Sequence, residues 1–280
     1  MKNLEALSKK SLGQNFLVNK GIAKKMVQAS VISGPCGVLE IGPGFGALTM
    51  ELAANFKKVL AVEIDKNLAK ILEENLAVAK IKNVKLMCED VLKMDLRSLI
   101  KKEFAGMCVV CVANLPYYIT SPILVKLLEQ SWAFLSITVM TQKELGVRIC
   151  APLGTRQVSA LSFRVRFLSV PKLLFFVSKG SFRPTPKIES AVIKLRMLKT
   201  PSVCVKDEQL MFELIKCGFS QRRKLLINSL NGVCNFGKSE IKAIFNAIKI
   251  NEMVRVEQMN LKMFAELANS LLKENGGKKL

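Results

Sequence analysis

Residues 38–46 read VLEIGPGFG, and this stretch decides the fold. The apolar run Val38–Ile41 has the length of a buried strand, and a helical pattern follows the last glycine. Glycines at a turn from strand to helix let the backbone approach a nucleotide-like ligand closely. Gly42, Gly44 and Ala47 also satisfy a loose dinucleotide-binding fingerprint, so the turn does not distinguish a nicotinamide cofactor from S-adenosylmethionine. A tight turn with a purely structural role is the other interpretation.

More apolar runs of strand length follow, and helical patterns separate most of them. These runs are almost continuously apolar, which is typical of strands that helices cover on both faces. The alternation of strands and helices predicts an α/β fold built on a parallel sheet. The predicted strands beyond the first are Val59–Val62, Val84–Cys88, Met107–Ala113, Phe134–Met140, Leu173–Val177 and Ala191–Leu195.

The charge of the chain points to a polyanionic partner. Its 280 residues include 43 Lys plus Arg against 22 Asp plus Glu, a formal net charge of +21. Such an excess favours nucleic acid as the partner. The chain contains no histidine, which excludes His-dependent triads and imidazole bases and removes the commonest zinc ligand. We therefore expect a nucleic-acid-binding protein without a metal centre.

The sequence shows no sign of export or of membrane insertion. No apolar run approaches the roughly 18 residues of a membrane span. The segment Met1–Lys10 is polar and basic and lacks the apolar stretch of a secretory signal. Eight cysteines are scattered along the chain, and Cys88, Cys108 and Cys111 lie within apolar runs, which predicts reduced, buried thiols. We expect a cytoplasmic protein that does not bind membranes.

The length of the chain favours two domains. Near residue 200 the apolar runs give way to helical periods with basic residues. We expect residues 1–199 to form the α/β domain, with a basic arm over residues 1–20, and residues 200–280 to form a smaller helical domain.

Acidic residues follow two of the predicted strands, at the sheet edge where ligands bind in such folds. Glu63 lies 21 residues beyond Gly42, where a carboxylate can accept hydrogen bonds from ribose hydroxyls; a solvated strand end is the alternative. Asp65 is predicted to cap the next helix. Asp90 is placed to accept a hydrogen bond from an adenine amine, with Glu89 as its competitor and an ordinary turn as the alternative.

The motif Asn114-Leu115-Pro116-Tyr117 follows the fourth run directly. An exocyclic base amine is a poor nucleophile because its lone pair is delocalised into the ring. The Asn114 amide oxygen and the Leu115 carbonyl can hold its two N–H groups and aim the nitrogen at a sulfonium methyl, while Pro116 fixes the chain. Tyr117 offers a stacking face worth roughly 1–3 kcal/mol. A strand-ending turn with packed aromatic rings is the alternative.

Together these segments resemble the ribosomal RNA adenine dimethyltransferase family over nearly the full length. The likeness is to its bacterial branch, which dimethylates two adjacent adenines near the 3′ end of small-subunit ribosomal RNA. The matching segments are Gly13–Leu17, Glu40–Thr49, Glu63–Asp65, Asp90, Asn114–Thr120, Gln142–Glu144, Phe182–Lys187 and Phe219–Lys224.

The resemblance implies a Rossmann-like class I methyltransferase domain that uses S-adenosylmethionine and is followed by the helical domain. It also implies that Asn114 and Tyr117 handle the target base and that Phe182 is a second aromatic wall, although the residues alone place Phe182 in a core. The implied cofactor-binding residues are Asn15, Leu17, Gly42, Gly44, Glu63, Asp90 and Asn114.

The implied substrate is the N6 atoms of two adjacent adenines in 16S ribosomal RNA within a pre-30S particle, so the enzyme would serve small-subunit biogenesis, and a monomer is expected. The segment Gln221-Arg222-Arg223-Lys224, predicted at a helix start, is the expected phosphate-contacting element of an RNA-binding domain that recognises shape.

Three other functions compete with this interpretation. An antibiotic-resistance branch of the same family methylates a large-subunit adenine, and the Phe219–Lys224 motif disfavours it. A non-catalytic nucleic-acid-binding assembly factor with the same fold is disfavoured by the intact Asn114–Tyr117 motif and glycine turn. A nicotinamide dehydrogenase explains neither that motif nor the charge.

Overall fold

The chain forms two compact units in the computed structural model, which describes residues 14–32, 34–233 and 236–274. One unit takes in the chain up to Val147 together with Val170–Lys199. The other takes in Arg148–Ser169 together with the chain from Thr200 onward. The assignment of Arg148–Ser169 to the first domain was therefore wrong. The first 13 residues of the predicted basic arm lie outside the described residues.

Strands and helices alternate through most of the described chain. The strands are β1 (Phe16–Leu17), β2 (Cys36–Ile41), β3 (Lys58–Glu63), β4 (Val84–Cys88), β5 (Cys108–Asn114), β6 (Phe134–Gln142), β7 (Ser169–Val177), β8 (Phe182–Arg183) and β9 (Ser190–Met197). The helices are α1 (Lys20–Ser30), α2 (Ala47–Asn55), α3 (Lys66–Val78), α4 (Leu96–Glu103), α5 (Thr120–Glu129), α6 (Lys143–Cys150), α7 (Ala160–Leu168), α8 (Glu208–Ser220), α9 (Leu226–Ser229), α10 (Lys238–Ala247) and α11 (Leu261–Glu274).

A seven-stranded sheet in the order β4-β3-β2-β5-β6-β9-β7 forms the centre of the first unit. Strands β2 to β6 pair in parallel, and β2 is buried along its whole length, as expected for a strand covered on both faces. The predicted α/β fold is confirmed. The sheet is mixed rather than wholly parallel, because β9 pairs with β6 in the antiparallel sense. Parallel pairing brings the carboxyl ends of β2 to β5 to one edge.

Polar side chains cap the amino-terminal ends of α1, which follows the arm, and of α3, which follows β3. The Asp65 carboxylate accepts a hydrogen bond from the Asn67 N–H at 3.0 Å and caps α3, which confirms its predicted role. The Asn19 side chain caps α1 by accepting hydrogen bonds from Gly21 and Ile22. Each cap satisfies backbone donors that have no partner within the helix.

The second unit is helical and has its own core. Phe163 and Phe167 of α7 are fully buried together with side chains of α8 and α11. Phe163 makes edge-to-face contacts with Phe219 and Phe264 at centroid distances of 5.6 and 5.5 Å. This packing is the physical reason why α7 belongs to the helical unit and not to the sheet domain.

The exposure of the thiols differs in part from the prediction. Cys36 and Cys111 are buried free thiols, but Cys88 and Cys108 are exposed, because each stands at the end of a strand. Within the described part of the chain, no helix is both long and apolar enough to cross a bilayer.

The core leaves no room for a side chain at Gly37 of β2. A Cβ atom there would lie 2.2 Å from Cδ1 of Phe104. Phe104 is itself buried, so it cannot turn aside without moving its neighbours. We expect Gly37→Ala to lower the free energy of unfolding by about 1–3 kcal/mol, measured by urea denaturation.

Gly180→Ala is the matched control for this overpacking. A Cβ atom at Gly180 would meet nothing within 4 Å, and its backbone is not left-handed. We expect Gly180→Ala and the parent protein to have the same urea midpoint of unfolding. A Gly37→Ala midpoint as high as that of Gly180→Ala would contradict the packing described for β2.

Candidate active site

The residues predicted to bind the cofactor line a single cavity. The cavity opens at the carboxyl ends of β2 to β5 and encloses about 950 Å³, counting the part open to solvent. The predicted residues on its wall are Asn15, Leu17, Gly42, Gly44, Glu63, Asp90, Asn114, Leu115, Pro116 and Tyr117.

The glycine turn forms the floor of this cavity. Gly42, Gly44 and Gly46 all have left-handed backbone, with φ of 68°, 57° and 90°. A side chain at any of them would be strained, and a Cβ atom on Gly46 would also lie 2.5 Å from Leu72 Cδ1. Glycine is therefore required for the turn that ends β2 and begins α2.

Glu63 joins the glycine turn to the end of β3. Its two carboxylate oxygens accept hydrogen bonds from the N–H groups of Gly44 at 3.1 Å and Asp65 at 3.0 Å. Only 4% of Glu63 is exposed, and burial raises the pKa of its carboxyl although both hydrogen bonds oppose the rise. A carboxylate held in this way on the cavity wall can accept hydrogen bonds from ligand hydroxyls.

Asp90 and Tyr118 form the neighbouring part of the wall. One Asp90 oxygen accepts a hydrogen bond from the Leu92 N–H at 2.9 Å, which fixes the turn after β4. Tyr118 is half exposed on the same cavity. Burial, with smaller contributions from the negative charges of Asp90 and Glu63, raises the pKa of its hydroxyl. No role was predicted for Tyr118 from the sequence, although its position next to Tyr117 indicated that it could lie at the same site.

The Asn114–Tyr117 motif is held by hydrogen bonds at several points. Asn114 Nδ2 donates to the Asn15 carbonyl at 3.3 Å. The Leu115 N–H donates to the Met140 carbonyl at 3.1 Å, which ties the motif to β6. With the amide nitrogen directed at the amino-terminal arm, the other end of the Asn114 amide is an acceptor.

Tyr117, which follows β5, is fixed by a residue of β9, the second strand along the sheet from β5. Its hydroxyl and the Ser190 hydroxyl are 2.5 Å apart, and Ser190 is the fully buried first residue of β9. Burial raises the pKa of the Tyr117 hydroxyl and the hydrogen bond opposes the rise. No pattern in the sequence links these positions, so sequence reasoning missed Ser190.

The amino-terminal arm closes one side of the cavity. Asn15 and Leu17 line it, and the Phe16 ring meets the Phe45 ring edge-on at a centroid distance of 4.5 Å. A Cβ atom on Gly44 would lie 3.1 Å from the Phe16 ring, so the arm rests directly on the glycine turn. Strand β1 of the arm pairs with β8.

Phe182 is not brought to this cavity. The register of β1 and β8 sets Phe182 against Leu17, and its ring is fully buried in the core of the first unit with Val177 and Val192. In a strand neighbouring side chains point to opposite faces, so Arg183 takes the exposed position and Phe182 the inner one. The expected second aromatic wall at Phe182 is therefore wrong in this structure, and the core assignment from the residues alone is correct.

The predicted RNA-binding residues lie in the second unit. Arg222, Arg223 and Lys224 occupy the turn after α8 rather than a helix start, because α9 begins only at Leu226. Arg222 donates to the Arg156 carbonyl at 2.8 Å and lies over the Phe219 ring, so it has a structural role. Arg223 and Lys224 are exposed.

Glu40 is the residue of the cavity wall that sequence reasoning quoted without a role. It is 1% exposed, and among the described residues neither carboxylate oxygen makes a well-formed hydrogen bond, although the Thr49 hydroxyl lies nearby. Burial and the nearby Glu63 charge raise its pKa to about 8, and the neighbouring Thr49 hydroxyl offsets only part of this. A buried carboxyl without well-formed hydrogen bonds fits a ligand that carries positive charge, as S-adenosylmethionine does on its sulfur and its amino group. The position of this acidic residue inside an apolar strand was the feature of the sequence that could have indicated a functional role.

Glu40 should make the stability of the protein depend on pH. Between its ordinary pKa near 4.5 and about 8, the folded protein holds a proton on Glu40 that the unfolded chain has released. The stability from this group is therefore present at acidic pH and is lost as the pH rises through about 8. We expect the free energy of unfolding of Glu40→Gln, measured by urea denaturation, to exceed that of the parent protein by a few kcal/mol at pH 9 and to be nearly the same at pH 4.5. An equal difference at both pH values would contradict a protonated Glu40.

The sequence model of the ribosomal RNA adenine dimethylase family matches residues 6–273. The ribosomal RNA small subunit methyltransferase A of Alkaliphilus oremlandii (strain OhILAs) is 45% identical over 267 residues, covering 95% of this chain and 92% of the relative. The protein of the same name from Geobacillus thermodenitrificans (strain NG80-2) is 41% identical over 94% of this chain and 91% of the relative.

Solved structures show the same architecture. A dimethyladenosine transferase from Plasmodium falciparum superposes with a TM-score of 0.77 at 25% identity, covering 93% of this chain and 98% of that protein. The 23S rRNA methyltransferase ErmE shares the fold, with a TM-score of 0.68 at 24% identity over 91% of this chain and 98% of its own. The family match spans nearly the whole sequence, and so the chain belongs to the ribosomal RNA adenine dimethylase family.

Proposed function

We propose that the protein uses S-adenosylmethionine to dimethylate the N6 atoms of two adjacent adenines near the 3′ end of 16S ribosomal RNA. It acts as a monomer on a pre-30S particle in the cytoplasm and serves small-subunit biogenesis. The observation that carries this proposal is the single cavity in which the glycine turn, Glu63 and Asp90 face the Asn114–Tyr117 motif. The curated relatives, which are named as small-subunit methyltransferases, support the choice of substrate.

One half of the cavity suits the methyl donor. Glu63 is placed to accept hydrogen bonds from ribose hydroxyls, and Asp90 from the adenine amine. Glu40 holds a proton in the free protein below about pH 8, and the positive charges of a bound donor would favour its carboxylate form. Asn15 and Leu17 of the arm exclude water from one side. When bound, S-adenosylmethionine supplies a methyl group activated by its sulfonium sulfur.

The other half of the cavity suits the adenine amine. The Asn114 amide oxygen and the Leu115 carbonyl accept hydrogen bonds from the two N–H groups, which favours the geometry in which the nitrogen lone pair leaves the ring system. Tyr117, fixed by Ser190, stacks on the base that has left its helix. The methylated amine is strongly acidic and releases its proton to water, so the absence of histidine is no obstacle.

The helical unit suits the folded RNA. Arg223 and Lys224 project from the turn after α8 and can neutralise phosphates without reading bases. Arg222 holds that turn in place through the Arg156 carbonyl.

Incubation with labelled S-adenosylmethionine and unmethylated small-subunit particles tests this function. We expect the label in N6,N6-dimethyladenosine of 16S ribosomal RNA after nucleoside analysis. Labelled large-subunit RNA with unlabelled 16S RNA would assign the chain to the antibiotic-resistance branch instead. Binding of the particle without any transfer would support an assembly factor.

Asn114→Ala should separate catalysis from cofactor binding. Loss of the amide oxygen removes one of two acceptors for the target amine, and we expect kcat to fall by about 100-fold or more. The dissociation constant for S-adenosylhomocysteine should change far less. Asn55→Ala, which removes an exposed amide bonded only to the Glu51 carbonyl among the described residues, is the control and should keep the parent rate. An Asn114→Ala enzyme with the parent kcat would remove this residue from the chemistry.

Arg223→Ala combined with Lys224→Ala should flatten the salt dependence of RNA binding. Each lost phosphate contact reduces the log–log slope by roughly 0.7–0.9, so we expect a slope smaller by about 1.5. Lys262→Ala removes an exposed charge from another part of the same unit and is the control. If the double variant and Lys262→Ala give the same slope, the turn after α8 does not contact phosphates.

A further inference from the structure

The only tryptophan of the chain, Trp132, lies on the surface between α5 and β6 with 53% of its area exposed. Two cations of α4 lie against its ring, Arg97 at 5.9 Å and Lys101 at 5.7 Å from the ring centroid. We call these three residues the Trp132 patch. The catalytic scheme above makes no use of any of them.

The Trp132 patch is preorganised. Arg97 and Lys101 are four residues apart on α4 and therefore project from the same side of the helix. The indole Nε1 donates a hydrogen bond to the Gln130 side chain at 3.2 Å, which restricts rotation of the ring. An ordered ring with cations on one side and open area on the other is a stacking platform.

The two acids that flank α4 are held mainly by groups outside the Trp132 patch. Glu103 at the end of α4 accepts from Lys58 at 2.9 Å and from Lys85 at 2.6 Å. The Asp95 carboxylate is bound to the N–H and hydroxyl of Ser98, and these hydrogen bonds lower its pKa. The Arg97 N–H and the Arg97 charge also act on Asp95, but less than Ser98 does, and among the described residues the ion pairs of Glu103 go to Lys58 and Lys85.

The Trp132 patch lies at the opposite edge of the sheet from the catalytic cavity. Trp132 directly precedes the amino end of β6, whereas Asn114 pairs with Met140 toward its carboxyl end. The six residue-to-residue steps from Phe134 to Met140 span about 20 Å. A nucleotide bound at Trp132 is therefore not the nucleotide that is methylated.

We propose that the Trp132 patch is a second RNA-binding site, which stacks an unpaired base on the indole and holds the adjoining phosphates with Arg97 and Lys101. The inference rests on the proposed function, because the occupant is a remote unpaired nucleotide of the same folded ribosomal RNA. An acidic protein would pair with the cations and bury the ring as well, but the formal net charge of +21 favours nucleic acid as the partner. An unpaired nucleotide uses both parts of the patch.

The single tryptophan makes the site directly observable, because all indole emission of the full chain comes from Trp132. We expect a single-stranded RNA oligonucleotide to quench this emission saturably. Inorganic polyphosphate, which has charge but no bases, should compete for the site without comparable quenching. Absence of quenching by the RNA would overturn the proposal, and so would equal quenching by polyphosphate or quenching only by an acidic peptide.

Variants then measure what the ring contributes to binding of labelled small-subunit RNA. We expect Trp132→Ala to weaken binding by roughly tenfold, since stacking of one base contributes about 1–3 kcal/mol, and Trp132→Phe to retain part of the affinity. Lys102→Ala is the matched control, because it removes an exposed charge from α4 without a ring contact. Equal losses for Trp132→Ala and Lys102→Ala would overturn the proposal.

The two proposals fail in different ways. If the parent protein methylates the particle and Trp132→Ala binds RNA as tightly as the parent, the second site is wrong and the function stands. If Trp132→Ala raises KM for the particle and leaves kcat unchanged, the second site is supported. If Trp132→Ala fails to fold, two measurements still test the second site. One is the emission titration of the parent protein, and the other is the same titration of Arg97→Ala combined with Lys101→Ala. We expect RNA to quench the emission of the parent and not that of this double variant.

Discussion

The hydrogen bond from the Gly44 N–H to the buried Glu63 carboxylate is the constraint on which the site depends. It holds the glycine turn after β2 against the end of β3, and the same carboxylate accepts the N–H of Asp65, which caps α3. Three neighbouring elements therefore meet at one side chain. The turn can take this path only because its glycines adopt left-handed backbone, and the arm then rests on the turn through Phe16.

Two buried carboxyl groups, Glu40 and Glu63, determine the charge of the cavity wall. Glu63 satisfies its oxygens with backbone N–H groups, whereas no backbone N–H of the described residues binds Glu40, and the pKa of Glu40 rises to about 8. Burying a carboxyl without well-formed hydrogen bonds costs stability, and proteins retain such groups mainly where they act. A positively charged ligand in the cavity would relieve that cost, whereas a neutral ligand would not.

Much of the fold could be predicted because its signals are local. Continuous apolar runs predicted the strands of the sheet, and Asp65 before a helical pattern predicted a cap. The glycine turn, Glu63, Asp90 and the Asn114–Tyr117 motif were predicted because parallel strands bring their carboxyl ends to one edge. Asn15 and Leu17 were implied only by the family resemblance. Long-range pairing was not predictable: the antiparallel placement of β9, the inward face of Phe182 and the contact of Ser190 with Tyr117 all depend on residues distant in sequence. The placement of α7 was also not predictable, because its phenylalanines are buried against α8 and α11, which follow later in the sequence.

A crystal structure of the full chain with S-adenosylhomocysteine tests most directly whether the cavity at the carboxyl ends of β2 to β5 is the methyl-donor site. The account predicts the ribose hydroxyls on Glu63, the adenine amine on Asp90 and the sulfur facing Asn114. A ligand bound outside this cavity, or a cavity filled by the chain's own side chains under saturating ligand, would contradict it.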